Sequence, residues 1–272
     1  MELFMKLAFS TLGCPGWTWD EIFATATDLG FDGIEVRGIG PDLFAPASPV
    51  FSGDIAHTVA RLKAAGLEIP LLATDIALAE DPEEKIFGKT KAYIDLAQRL
   101  SVKYLRIMST SKPQPEGDVD LKRLAALYGR ICDMAAEKGV SPLIETNGPF
   151  ADTALLRKFI DGVARPNSGV LWDIHHPFRF CGESPAQSLA NLDGLIQYVH
   201  VKDSVLQGGR VVYRMMGYGD VPVLDALRAL HTGGYTGFAS LEWVKRWNPD
   251  LEEPGVVFAH FQNYMAYMLR QL

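Results

Sequence analysis

The chain has 272 residues, of which 48% are hydrophobic and 22% charged. That balance excludes a disordered chain, and the length suits one barrel-sized domain, here taken as residues 1–272. A formal charge of −7 sets the surface against phosphate backbones, so no nucleic-acid partner is expected.

The N-terminal stretch MELFMKLAFS places Glu2 where a secretory signal would carry positive charge, and no cleavage site follows. The most apolar segment, 69–79, is broken by Asp75 and falls short of the ~18 apolar residues of a membrane span. Cys14, Cys132 and Cys181 make no CxxC and no paired framework, as in a reducing compartment. A cytoplasmic protein without a membrane partner is expected.

Short apolar runs then alternate with amphipathic segments. LAFS (7–10) leads to a helix opened by the capping box Thr18-Trp19-Asp20-Glu21 and closed by Gly30. GIEVR (33–37) precedes a helix over 54–65 that ends at Gly66. IPLLAT (69–74) precedes Ile86, Thr90, Tyr93, Ile94, Ala97 and Leu100 at helical spacing. YLRIMS (104–109) precedes Leu124, Leu127, Tyr128, Ile131 and Ala135, with Gly139 after them. PLIETN (142–147), VLWDIH (170–175), YVHVKD (198–203) and FASLEW (238–243) complete eight runs. Ser184-Pro185-Ala186-Gln187 reads as another capping box, and helices are expected over 223–230 and the last twenty or so residues. The runs are continuously apolar at their starts, as strands buried on both faces of a parallel sheet are. Eight β-then-α units of about 34 residues suggest an α/β fold of one (β/α)8 TIM barrel. No Gly-rich turn follows the first run, which argues against a doubly wound sheet.

In such a barrel the chemistry sits at the C-terminal ends of the strands. Four polar residues interrupt the later runs there: Glu145, Asp173, His200 and Glu242. The first two separations are each one unit, and the third is one unit plus a long loop containing Gly208, Gly209, Gly217 and Gly219. An isolated acid at a strand end is ordinarily a cap or an ion-pair partner. Three acids and an imidazole converging from four successive strands repel one another unless a divalent cation sits among them. The mostly oxygen donor set suits Mn²⁺, Mg²⁺ or Co²⁺ and also accommodates Zn²⁺.

The strings MKLAFSTLGCPGW, FDGIEVR, IETN, WDIHH, VHVKD and GYGDVPVLDALRALHTGGYTGFASLEW resemble the sugar phosphate isomerase/epimerase family with the xylose-isomerase-like TIM barrel, which also includes endonuclease IV. The resemblance runs over nearly the whole chain. It implies that Glu145, Asp173, His200 and Glu242 are the metal ligands, and that Glu145 and Glu242 form the acid/base pair of a metal-dependent sugar isomerase or epimerase. A ketose, aldose or related polyhydroxy carbonyl compound would react through an enediolate. The same site would serve an inosose- or dehydroshikimate-type dehydratase, and a non-catalytic sugar-binding barrel is the reading from a different class. The strand ends ATD and MSTS lack the extra histidines of the endonuclease's metal cluster.

Around this set, His176, Lys202, Arg210 and Trp17 are the candidates for substrate contact. Lys202 alternates onto the face of His200. Phe178, Tyr218 and Trp243 are expected as aromatic walls at the mouth, and Arg179, Arg214, Lys245 and Arg246 as a basic rim. Glu35, Arg37 and Arg106 read equally as barrel-lining charge or substrate contacts. A small-molecule substrate is the expected partner, and a homo-oligomer is left open.

Overall fold

The computed structural model describes residues 5–53 and 55–272. Glu2, and Asp54 at the head of the second expected helix, lie outside the described residues. Eight parallel strands make the barrel: β1 (Lys6–Ser10), β2 (Gly33–Glu35), β3 (Leu71–Ala77), β4 (Tyr104–Met108), β5 (Ser141–Glu145), β6 (Gly169–Asp173), β7 (Ile196–Val201) and β10 (Phe238–Leu241). Their order is β2-β1-β10-β7-β6-β5-β4-β3, and the two ends meet. Single bridges Gly33↔Glu68 and Val36↔Leu72, with the Val36 amide donating to the Leu71 carbonyl at 3.2 Å, join β2 to β3. Each expected run holds one barrel strand, so the (β/α)8 reading stands. Around the barrel lie α1 (Trp19–Asp28), α2 (Pro49–Ser52), α3 (Ile55–Ala65), α4 (Glu83–Leu100), α5 (Leu121–Ala136), α6 (Thr153–Val163), α7 (Pro185–Asn191), α8 (Val223–Thr232) and α9 (Pro254–Leu269). Among the described residues no helix is long and apolar enough to cross a membrane.

Local chemistry explains where the helices start. Thr18 accepts from the Glu21 amide while the Glu21 carboxylate accepts from the Thr18 amide, so the first capping box is complete. At α7 only half of the expected box forms: Ser184 accepts from the Gln187 amide, and Pro185 sets the first helical φ.

Alternation along the strands separates two cores. Ile144, Trp172, Val199 and Leu241 point outward into the layer packed against the helices. Ala8, Leu71, Ala73, Leu143, Leu171, Tyr198 and Phe238 point inward and plug the barrel's lower half. Two residues on from each plug, on the same face, come Glu145 after Leu143, Asp173 after Leu171 and His200 after Tyr198. The plug is what lifts the polar residues to one level. In register, Asp173 lies beside His200, which lies beside Ser240, with Glu242 one inward step above.

The Gly-rich segment after β7, expected as a loop, is an antiparallel hairpin: β8 (Asp203–Gln207) and β9 (Arg210–Arg214). Gly208 and Gly209, both at positive φ, make its two-residue turn. Two apolar-alternating segments around Gly-Gly were the sequence signal for it.

Candidate metal centre

Glu145, Asp173, His200 and Glu242 are all buried, and one ligand atom from each lies within 4.8 Å of the others. His200 Nε2–H donates to Glu35 Oε2 at 2.8 Å. That bond fixes the ring and turns Nδ1 toward the carboxylates. Nδ1 has no hydrogen-bond partner. It stands 3.5 Å from Glu145 Oε1, 3.6 Å from Glu242 Oε1 and 3.9 Å from Asp173 Oδ2. These separations are too long for good hydrogen bonds and fit atoms that share a cation between them. A buried imidazole nitrogen without a partner, facing three carboxylate oxygens, is what a first-row divalent ion requires of a protein.

Cations already in place hold the carboxylates apart. Arg106 Nη1 donates to Glu242 Oε1 at 3.0 Å and lies 3.4 Å from Glu145 Oε2, while Nη2 donates to the Thr74 carbonyl at 3.0 Å. Lys202 Nζ donates to both Asp173 Oδ2 and Glu242 Oε2. Burial works to raise the Glu145 carboxyl, but Arg106 and the nearby His200 ring outweigh it and hold the group down at about 2. Glu242 is likewise held well below the usual carboxylate range, with Lys202, His200 and Arg106 overcoming its burial. Both glutamates are therefore ionised. Burial would lower the His200 pKa, yet Glu35 and Glu242 lift it well above the ordinary value.

His176 Nδ1–H donates to the Thr146 carbonyl at 3.0 Å, leaving Nε2 3.6 Å from Asp173 Oδ2. Burial and the Lys202 charge push its pKa down to about 3, so the ring is neutral. His175 donates its amide to Asp173 Oδ1 at 2.9 Å and its Nε2 meets Ser204 Oγ at 2.8 Å, while a ring nitrogen lies within 4.8 Å of ligand atoms of Asp173 and His176. It positions Asp173 from behind.

Glu145 and Glu242 line the floor of a cleft of about 1070 Å³, with Asp173 and His200 buried behind them. His176, Lys202 and Arg210 line it, as do Phe180, Tyr213 and Trp247, three aromatics that the sequence reading did not name. Phe180 stacks on His176 with 5.8 Å between centroids, presented by the π-helical turn Pro177–Cys181. Trp17 is not in the cleft lining; its ring packs edge-on against Phe258 of α9. Trp243 is buried and donates to the Glu252 carbonyl, and Tyr218 is exposed beside His260. Of the expected basic rim, Arg179 pairs with Asp220 and caps the Ser204 carbonyl, and Lys245 pairs with Glu253. Arg246 donates to the Gly40 carbonyl at 2.5 Å. These are structural contacts.

The hairpin that walls the cleft is tied at its base by one carboxylate. Asp203 accepts from the amides of Ser204, Gly217, Gly219 and Val221. A Cβ at position 219 would stand 2.0 Å from Asp203 Oδ1 and 2.4 Å from the Ser204 carbonyl. Gly219→Ala is therefore expected to cost about 2–4 kcal/mol, since the added methyl displaces backbone and a buried acceptor together. Urea unfolding would measure it; an unchanged midpoint would mean that the hairpin base gives way freely.

The family model described as the xylose isomerase-like TIM barrel matches residues 23–259. The chain belongs to this family. It is similar to fructoselysine 3-epimerase of Shigella flexneri, with 23% identity over 256 residues, covering 88% of this chain and 90% of that protein. Among solved structures, the IolI protein with a bound zinc atom superposes with a TM-score of 0.81 at 17% identity, covering 98% of this chain and 99% of that one. D-allulose 3-epimerase from Methylomonas sp. superposes with a TM-score of 0.76 at 18% identity, covering 97% of this chain and 98% of that one. These superpositions establish a shared barrel.

Proposed function

We propose that the chain, acting as one domain over residues 1–272, is a divalent-metal-dependent isomerase or epimerase of a ketose, aldose or related polyhydroxy carbonyl compound. The observation that carries this reading is the unpartnered His200 Nδ1 facing the oxygens of Glu145, Asp173 and Glu242. The sequence relative named a 3-epimerase, matched along most of the chain, supports it.

Glu145, Asp173, His200 and Glu242 would hold the ion, which supplies Lewis-acid stabilisation of the negative charge that develops on substrate oxygens. Mn²⁺, Mg²⁺, Co²⁺ or Zn²⁺ would satisfy this donor set. The protein moves the protons. Glu145 ends β5 and Glu242 follows β10, with β6 and β7 between, so a substrate lying between them would present one face to each. One glutamate takes the C–H proton and the other returns one, either to the opposite face or to the neighbouring carbon. Lys202, fixed between Asp173 and Glu242, offers N–H donors to a substrate oxygen. Neutral His176 offers an acceptor nitrogen to a substrate hydroxyl. Phe180 and Tyr213 exclude water from the reacting carbon.

The test is deuterium wash-in. Purified protein loaded with Mn²⁺ or Mg²⁺ is incubated with a panel of ketoses in D₂O and followed by NMR. Exchange at a carbon next to the carbonyl is expected. Sugar binding without exchange across the panel would make the protein a binder and end the enzyme reading.

A further inference from the structure

Most charged side chains lining this cleft are already matched. Arg106 has its charge matched by Glu242 and Glu145 and donates to the Thr74 carbonyl, its Nε alone being left without a partner. Lys202 is held by two carboxylates, and Arg179 by Asp220 and a carbonyl. Arg37 differs. It lines the cleft, is only 6% exposed, and has no carboxylate within ion-pair distance among the described residues. Among the described residues its side chain makes one hydrogen bond, a long one, Nη1 to the Leu43 carbonyl at 3.5 Å. Asp75, which lines the same cleft, gives its Oδ2 to Lys89 at 2.5 Å, while its Oδ1 is buried without a hydrogen-bond partner and is not within ion-pair distance of Arg37. A guanidinium carries five donors, and burying it unpaired is costly. Burial, with Arg106 adding to it, brings its pKa down to about 10, so it remains charged at neutral pH.

The position is built. Arg37 lies two residues beyond Glu35, which bonds His200, so on the same face it stands one inward step nearer the mouth than the floor of the site. Its amide donates to Thr11 Oγ1 at 2.9 Å, and the Thr11 hydroxyl donates to the Gly38 carbonyl at 2.6 Å. Gly38, at φ +96, lets the Asp42 carbonyl come within 2.4 Å of where a Cβ would be. The turn that follows the arginine is thereby fixed, and with it the arginine's root.

We infer that Arg37 is the recognition residue for a carboxylate on the substrate, so that the compound turned over in this cleft is a sugar acid or another hydroxy-carbonyl compound bearing a carboxylate away from its reacting carbon. The assignment rests on the reading of the cleft as the site of a polyhydroxy carbonyl substrate. A guanidinium fork matches a carboxylate in two parallel hydrogen bonds. Arg210, exposed near the tip of the hairpin, also lines the cleft without a carboxylate partner among the described residues, so the phosphate ester is the competing ligand that the test below separates from a carboxylate.

The test separates recognition from turnover. Protein stripped of metal by chelation and gel filtration is examined by thermal shift with D-gluconate, with D-glucitol and with D-glucitol 6-phosphate at equal concentrations. D-Gluconate is expected to raise the melting temperature and D-glucitol to leave it nearly unchanged. In Arg37→Met the D-gluconate effect should vanish, with affinity down on the order of 10²-fold, the worth of a charge-assisted bidentate contact. The variant should stay folded with a melting temperature close to the parent's, since the arginine is released from no ion pair among the described residues. Arg37→Lys, which keeps the charge and loses the fork, should retain part of the effect. With metal restored, Arg37→Met should raise KM for sugar acids by a larger factor than it raises KM for neutral ketoses. Equal shifts by D-gluconate and D-glucitol, a D-gluconate shift that survives in Arg37→Met, or a larger shift from D-glucitol 6-phosphate would each overturn the assignment. Arg37-dependent binding without proton exchange would sink the proposed reaction and leave this inference standing. Exchange with Arg37-independent binding would do the reverse.

Discussion

Glu145→Gln and Glu242→Gln are each expected to lose on the order of 10² to 10⁴ in turnover, the usual worth of a positioned acid or base. Glutamine keeps the shape and one oxygen donor, so metal and substrate binding should persist and the loss should fall on kcat. Alanine would confound the two, because these carboxylates also face His200 Nδ1. The variants should differ in direction. Each glutamate faces one side of the bound carbon, so in an epimerase each substitution should block proton loss from its own epimer most strongly. Glu242 is held down by Lys202, His200 and Arg106 together, and Glu145 by Arg106 and His200. Near-normal exchange in both variants would move the proton-transfer role to Lys202 or His176.

Removal of the divalent ion is the second large effect. Turnover should fall by about 10³-fold or more on chelation and return with Mn²⁺, Mg²⁺ or Co²⁺, because several kcal/mol of transition-state stabilisation depend on the ion. An ion held by the four residues would compete with cations already in the site. Lys202 bridges Asp173 and Glu242, and His200 in the metal-free protein holds its proton well above the ordinary imidazole range, Glu35 and Glu242 outweighing its burial. Metal binding therefore expels a proton from His200, and affinity should rise with pH as long as pH remains below that elevated value. Calorimetry in buffers of different ionisation enthalpy would show the released proton; an apparent affinity flat from pH 6 to 8 would contradict the argument. Lys202→Met should bind metal about tenfold more tightly, since one competing charge is gone, and still turn over more slowly for want of its N–H donors.

The barrel and its four-residue cluster were legible because both follow from short-range rules. A strand shows its inward face by alternation, so an acid two residues beyond a Leu plug, as Glu145 is beyond Leu143, declares its depth without any tertiary information. The cleft walls were not legible in that way. Trp17 and Trp243 read as mouth aromatics because they follow strand ends, but the chain turns them into contacts with α9 and the Glu252 carbonyl. Phe180 and Trp247 reach the cleft through a π-helical turn and a late loop, whose paths are set by packing rather than by periodicity. Arg179 and Lys245 looked like free cations because their partners, Asp220 and Glu253, lie on other segments. The hairpin was missed although Gly208-Gly209 between alternating segments announced it.

The Asp203 tie gives that hairpin a particular independence. The strand enters at Asp203 and the chain leaves past Gly219 and Val221, and both ends are held by the same carboxylate. Whatever lies between them closes as a cassette whose insertion point does not move. Lengthening a loop whose ends are already pinned costs little, growing only with the logarithm of its length. The arms around the Gly208-Gly209 tip can be extended, shortened or exchanged while β7 keeps His200 and Lys202 where they are. In such an architecture the reacting centre and the gauge of what it admits are separate parts, and a graft between Asp203 and Gly219 could alter substrate size without altering the chemistry.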